Sequence, residues 1–146
     1  MLEMAGCAVP DHEGRLLLVH RNTRRFQHWE FPGGKPDPDE NVYETAIRET
    51  EEETDLPVAI IRKLVVCEFV QDEQTARYSL FLARTLDIRM VPVPMESDTH
   101  DAVDYFSPEE MRYIPHSLSV EHILATMERE NVTIPILTAH GLQRAS

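Results

Sequence analysis

Apolar and polar positions change period several times along the 146-residue chain, and each change marks an expected element. Met4–Val9 and Arg15–Arg21 are apolar runs joined by Asp11-His12-Glu13-Gly14. Two such runs on either side of a turn-forming tetrapeptide predict a hairpin. Phe26–Phe31 is a short aromatic segment that runs into Pro32-Gly33-Gly34, a turn with a permissive backbone, and Asp37-Pro38-Asp39 continues the loop. A helix is expected next. Asn41 is a favoured N-cap, and Glu44 three residues on makes a variant of the capping box. Val42, Ala46, Ile47 and Thr50 give it a modest inward face. Asp55, which tolerates left-handed backbone, and Pro57 signal its end.

Val58–Val70 and Thr75–Leu86 are rich in β-branched and aromatic residues and flank Gln71-Asp72-Glu73-Gln74, which predicts a second hairpin with long strands. Val91–Thr99, with Pro92 and Pro94, reads as a loop, and Ala102–Phe106 as a short strand. Ser107-Pro108-Glu109-Glu110 opens a helical turn with Ser as cap and Pro at the first position. A last helix starts at Ser117 or Ser119 and ends near Asn131, with Val120, Ile123, Leu124 and Met127 as its apolar stripe. Thr138–Ser146 reads as a loose tail, so a single domain is expected over residues 1–137. This order predicts an α/β fold in which a mixed β-sheet lies between helices.

The length suits one domain with its own hydrophobic core. No apolar run approaches a membrane span, and the first residues lack the basic-then-apolar order of a secretory leader. A cytoplasmic protein without a membrane partner is therefore expected. Cys7 and Cys67 stand in apolar runs without metal-ligand or redox spacing, so they read as buried free thiols in a reducing compartment. A formal net charge of −12 argues against a nucleic-acid duplex as partner. It leaves room for a phosphorylated small molecule, provided bound cations invert the local charge. Monomer and homodimer both stay open.

The chemistry is concentrated in Gly34–Leu56. Glu49, Glu52 and Glu53 fall at i, i+3 and i+4, so a helix stacks three carboxylates on one face. Like charges at that spacing repel unless something positive sits among them, and a hard divalent cation with oxygen ligands suits the place. Glu51 points elsewhere and reads as solvated.

The pattern Gly34-x5-Glu40-x7-Arg48-Glu49-x2-Glu52-Glu53-x2-Leu56 resembles the Nudix box of the MutT-related hydrolases. Trp29-Glu30-Phe31-Pro32-Gly33-Gly34-Lys35 is similar to the lead-in of that family's nucleotide-sanitising members, and Tyr105–Met111 to its segment after the last core strand. Two box positions depart from the pattern. Thr50 stands where an aliphatic residue is usual, and Asp55 where Gly is usual.

The resemblance implies a Nudix-type α/β/α sandwich and Mg2+-dependent hydrolysis of a nucleoside di- or triphosphate, or of a nucleoside diphosphate linked to another moiety, with Mn2+ as a substitute ion. It implies Glu52 and Glu53 as principal metal ligands, Glu49 as a further ligand or water-activating base, and the Gly33 carbonyl as a backbone ligand. Arg48 would orient the carboxylates, paired with Glu40 or with Glu44. One more acid would come from the loop before the last core strand, with Glu96 first, then Asp98 and Asp101. Arg21, Glu30 and Lys35 would meet substrate, with Arg24 and Arg25 as weaker choices, and Gly34 and Glu40 would shape the box.

Trp29 and Phe31 read as core, and Tyr78 as a strand residue. Of the seven His residues only His28 is expected near the cleft; His20 alternates on its strand and the others read as surface or helix positions. No Asn stands in Ile114–Leu118 to read an oxidised guanine, and the Pro usual downstream of the box in ADP-ribose hydrolases is not evident. The alternatives are an ADP-ribose or nucleotide-sugar pyrophosphatase and, from a different class, a non-catalytic nucleotide-sensing domain.

Overall fold

The computed structural model describes residues 1–145. Its first half runs β1 (Leu2–Ala8), β2 (Leu16–Asn22), β3 (Gln27–Glu30), β4 (Gly33–Gly34) and α1 (Val42–Thr54). The second half runs β5 (Val58–Gln71), β6 (Gln74–Thr85), β7 (His100–Phe106), α2 (Pro108–Met111), α3 (Leu118–Arg129), β8 (Ile136–Thr138) and β9 (Gly141–Gln143). One sheet has the order β4-β1-β6-β5 and a second β3-β2-β7. β1 is parallel to β6 and antiparallel to β4, which makes the larger sheet mixed. The fold is α/β, as expected.

The expected hairpin between the first two strands does not form. Its turn closes, with the Asp11 N–H donating to the Arg15 carbonyl at 2.8 Å and the Leu17 N–H to the Val9 carbonyl at 3.1 Å. The strands then part into different sheets. Both edges of β1 are taken by β4 and β6, and both edges of β2 by β3 and β7, and this pairing buries Leu16, Leu17, Leu18 and Val19 completely. Non-local burial outweighs the local turn. The second hairpin forms as read. Asp72 (φ 48°) and Glu73 (φ 66°) supply the left-handed pair that a two-residue connection needs.

Alternation along the strands divides the core in two. Ala5, Cys7, Val9, Leu17 and Phe81 share one side with Ala46 of α1. Ala8, Tyr78, Leu80 and Leu82 share the other with Val120, Ile123, Leu124 and Met127 of α3, the stripe expected of that helix. The inner face of α1 is rotated from expectation. Thr45, Ala46, Thr50, Glu53 and Thr54 are buried, whereas Ile47 is 37% exposed. The stripe through 46, 50 and 53 carries position 47 about 100° away from Ala46, toward solvent. Cys7 and Cys67 are free and buried, and burial pushes the Cys7 thiol up to about 12.

Much of the expected loose tail is structured. Thr138 pairs with Gly141 in the β8–β9 hairpin, and the Leu137 N–H donates to the Asp11 carbonyl at 2.9 Å, tying the hairpin to the first turn. Ser146, the end of that expected tail, lies outside the described residues. Among the described residues no helix is long and apolar enough to cross a membrane.

Candidate active site

The site begins where β4 reaches β1. Gly33 and Gly34 pair with Gly6 and Ala5 at very close range. A Cβ on Gly33 would overlap the Ala5 carbonyl and lie 2.8 Å from the Gly6 Cα. One on Gly34 would lie 2.6 Å from the Glu49 carboxyl carbon. The missing side chains therefore let β4 dock and let Glu49 lie against the turn.

α1 carries the carboxylates into this position. Asn41 caps it, with its side chain accepting the Glu44 N–H at 2.8 Å while Glu44 accepts the Asn41 N–H at 3.1 Å. Asp55 ends it in the left-handed region at φ 62°. Both ends were expected from the sequence. Arg48 donates from Nε to Glu40 Oε2 at 2.7 Å and from Nη2 to Glu40 Oε1 at 2.9 Å. Nη1 reaches Glu49 Oε1 at 2.9 Å and Glu52 Oε2 at 3.2 Å. Of its two expected partners Arg48 thus takes Glu40, because Glu44 is committed to the cap.

Glu53 is the buried member. Its side chain is 3% exposed, and Oε1 has no hydrogen-bond partner. Burial above all, then its hydrogen bond with Glu49 and the charges of Glu49, Glu30 and Glu96, push this carboxyl up to about 11. Glu52 is half exposed and Glu51 exposed.

The loop before β7 docks on the end of α1. The Val93 and Met95 N–H groups donate to the carbonyls of Thr54 and Glu53, at 3.0 and 3.1 Å, satisfying helix-end acceptors. This brings Glu96 to the cluster, with its Oε1 3.7 Å from His100 Nδ1. Asp98 is exposed, and Asp101 is engaged away from the carboxylates by His20 and Asn22.

His100 corrects the sequence reading. Expected among the surface or helix histidines, it is 2% exposed on β7, with Nε2 3.2 Å from Glu30 Oε1 and 4.0 Å from Glu53 Oε1. In the sequence it stands two residues before the expected strand Ala102–Phe106 and carries no motif spacing. Glu30 also accepts Arg21 Nε at 3.0 Å and faces His28 Nε2 at 3.2 Å. These bonds outweigh its burial and hold Glu30 ionised, far below the usual carboxylate range.

A cleft of about 500 Å³ opens from the Gly33-Gly34 turn. Arg21, Glu30 and Lys35 line its near part, and Phe26, Val70, Leu118 and the Ser117 and Ser119 side chains its far part. The carboxylates flank the cleft at Gly34 rather than line it. The sequence-assigned residues are thus brought together, except Arg24, Asp98 and Asp101.

The model of the NUDIX domain matches residues 3–127, which spans box, cleft and most of α3. The chain belongs to the NUDIX family. A CTP pyrophosphohydrolase of Escherichia coli (strain K12) is 29% identical over 122 residues, covering 79% of this chain and 82% of that protein. A MutT NUDIX hydrolase from Burkholderia pseudomallei has a TM-score of 0.70 at 26% identity, over 86% of this chain and 96% of that one. A MutT protein from Methanosarcina mazei Go1 shares the fold with a TM-score of 0.73 at 22% identity, over 89% and 94% of the two chains. This NUDIX chain is a hydrolase acting on phosphoanhydride bonds. The family acts on nucleoside diphosphate-linked substrates.

Whether a divalent ion suits this NUDIX site is decided by its donors. Among the described residues no three His, Cys, Asp or Glu side chains converge into a ready-made cage, because Arg48 draws Glu49 and Glu52 toward itself. Mg2+ does not require one, since it is commonly held by one or two carboxylates together with waters and substrate phosphates. The unpartnered Glu53 oxygen and the adjoining Glu49 are hard donors of that kind, so the residues fit.

Proposed function

We propose that the chain is a Mg2+-dependent pyrophosphohydrolase that cleaves a nucleoside di- or triphosphate, or a nucleoside diphosphate linked to another moiety, by water attack on phosphorus. The observation that carries this reading is the buried Glu53 beside Glu49, whose carboxyl lies against Gly34, next to a cleft that also holds Arg21 and Lys35. Anionic ligands for a cation and cationic groups for a polyphosphate stand side by side.

Glu53, Glu52 and Glu49 would hold the ion, with the Gly33 carbonyl and Glu96 as further donors. Bound there, a divalent ion supplies charge neutralisation on phosphate and a coordinated water of lowered pKa. Glu49 is the residue placed to take a proton from the attacking water, being less buried than Glu53 and adjacent to the turn. Arg48 keeps Glu49 and Glu52 oriented without touching substrate. Arg21 and Lys35 bind phosphate oxygens through charge-assisted hydrogen bonds. Phe26, Val70 and Leu118 exclude water around the organic end. Nucleoside triphosphates lead the substrate candidates, since the relative at 29% identity is a CTP pyrophosphohydrolase.

The test is turnover of nucleoside triphosphates, ADP-ribose and nucleotide sugars with Mg2+, comparing the native chain with Glu52→Gln and Glu53→Gln. Release of pyrophosphate or phosphate is expected, and the variants should lose about 10²-fold or more in kcat. Labelled water identifies the phosphorus attacked. Nucleotide binding without turnover by the native chain would favour the non-catalytic sensor instead.

A further inference from the structure

Arg21, Glu30 and His100 come from three strands and meet beneath the cleft. β2 sets Val19 opposite Glu30 and Arg21 opposite His28, while β7 sets His100 opposite Arg21. Glu30 Oε1 lies 2.8 Å from Arg21 Nη2, 3.0 Å from Arg21 Nε and 3.2 Å from His100 Nε2; Oε2 faces His28. An ionised carboxylate only accepts, so both imidazoles present Nε2–H to it.

The sequence assigned Glu30 to substrate. Its two oxygens already face three side chains, and a carboxylate turned toward a polyphosphate would repel it. Arg21 is the member of the group that lines the cleft with positive charge. Its Nε and Nη2 edge is committed to Glu30, and no protein partner engages its Nη1 among the described residues. A guanidinium fixed along one edge loses little freedom when its other edge binds phosphate.

We infer that Glu30 and His100 are positioning residues that hold Arg21 as the phosphate clamp of the cleft. This rests on the pyrophosphohydrolase reading above. His100 acts at one remove: it is buried between Glu30, Glu53 and Glu96 and does not itself line the cleft. Its Nε2–H fixes the Glu30 carboxylate, and that carboxylate fixes Arg21.

The test is a double-mutant cycle on the nucleotide that the native chain turns over best. Arg21→Ala should raise KM by about 10- to 100-fold with a smaller change in kcat. His100→Ala and Glu30→Gln should move KM in the same direction. In the Arg21→Ala background His100→Ala should change KM by less than about 2-fold, because its effect runs through Arg21. His100→Gln, which retains an amide donor near the Nε2 position, should recover most of the loss, and it carries the test if His100→Ala does not fold. Calorimetric binding of a non-hydrolysable nucleoside triphosphate should weaken in step with KM. Additive effects of Arg21→Ala and His100→Ala, or a kcat loss at constant KM, would overturn the inference and place His100 with Glu53 instead. A native chain that hydrolyses no nucleotide removes the pyrophosphohydrolase reading and this inference together.

Discussion

Arg48 grips Glu40 by two parallel hydrogen bonds, Nε to Oε2 at 2.7 Å and Nη2 to Oε1 at 2.9 Å. Glu40 lies in the loop before α1 and Arg48 two turns into it, so the pair fastens loop to helix. The remaining Nη1 holds Glu49 and Glu52, and Nη2 also donates to the Lys35 carbonyl at 3.1 Å. One planar guanidinium thus sets the positions of box, turn and carboxylates together.

Arg48→Lys keeps the charge but cannot make the two-sided grip, because an ammonium is a compact point donor. kcat is expected to fall about 10- to 100-fold with KM within a few-fold, since Arg48 orients ligands and does not bind substrate. Steady-state kinetics separate the two parameters. Native kcat in Arg48→Lys would remove the orienting role.

Glu40 and Glu53 are expected to give pH dependences of opposite sign. Hydrogen bonds from Arg48 hold Glu40 at about 2, below its ordinary 4.5. Its contribution is complete above about pH 4.5 and fades as pH falls toward 2. Burial raises Glu53 to about 11, so the folded chain keeps a proton that the unfolded chain gives up above pH 4.5. Stability from that site is therefore complete below pH 4.5 and is lost as pH rises, by at most about 1.4 kcal/mol per pH unit. In chelator-treated protein the melting temperature should decline from about pH 5 to about pH 9, and Glu53→Gln should flatten that decline. Saturating Mg2+ should raise the native melting temperature more than that of Glu53→Gln. A decline that persists unchanged in Glu53→Gln would assign it to other groups.

The two glycines of the turn should fail in different ways. A Cβ at Gly33 meets backbone, the Ala5 carbonyl and the Gly6 Cα, neither of which can move without parting β1 from β4. Gly33→Ala should therefore melt far below the native chain or not accumulate. A Cβ at Gly34 meets only the end of the Glu49 side chain, which can swing aside. Gly34→Ala should keep its cooperative melt and lose about 10-fold or more in kcat. Equal loss of stability in both would mean that the Glu49 contact is not what Gly34 serves.

The helix that bears the box was legible because its signals are local: Asn41 with Glu44 at one end, Asp55 with Pro57 at the other. The β5–β6 hairpin was legible for the same reason, since its strands meet across two residues. Pairing at a distance was not. The turn at Asp11–Gly14 is real, but nothing nearby tells β1 that its neighbour will be β6. His100 was missed likewise. It meets Glu30 across 70 residues of chain and carries no motif spacing, so only the fold reveals it as part of the site.

Thr50 and Asp55, the two departures from the usual box, should limit stability and not chemistry. Thr50 is fully buried, and its hydroxyl has no partner in hydrogen-bond geometry. The neighbouring Cys7 thiol donates to the Ala46 carbonyl instead, at 3.4 Å. Thr50→Val keeps the branched shape and removes the unmet polar group, so it should stabilise by about 1 kcal/mol. Asp55 ends α1 at φ 62°, where a side chain is disfavoured, and its N–H donates to the Glu51 carbonyl. Asp55→Gly retains that bond and relieves the backbone, for a gain of about 0.5 to 1 kcal/mol. Neither side chain is bonded to Glu49, Glu52 or Glu53, and the positions are independent enough for the gains to add. The double variant should therefore melt several degrees above the native chain, with kcat/KM within about 2-fold. A higher melting temperature bought with a tenfold loss of kcat/KM would show that these two residues tune the carboxylate cluster from beneath, by letting α1 yield as substrate binds.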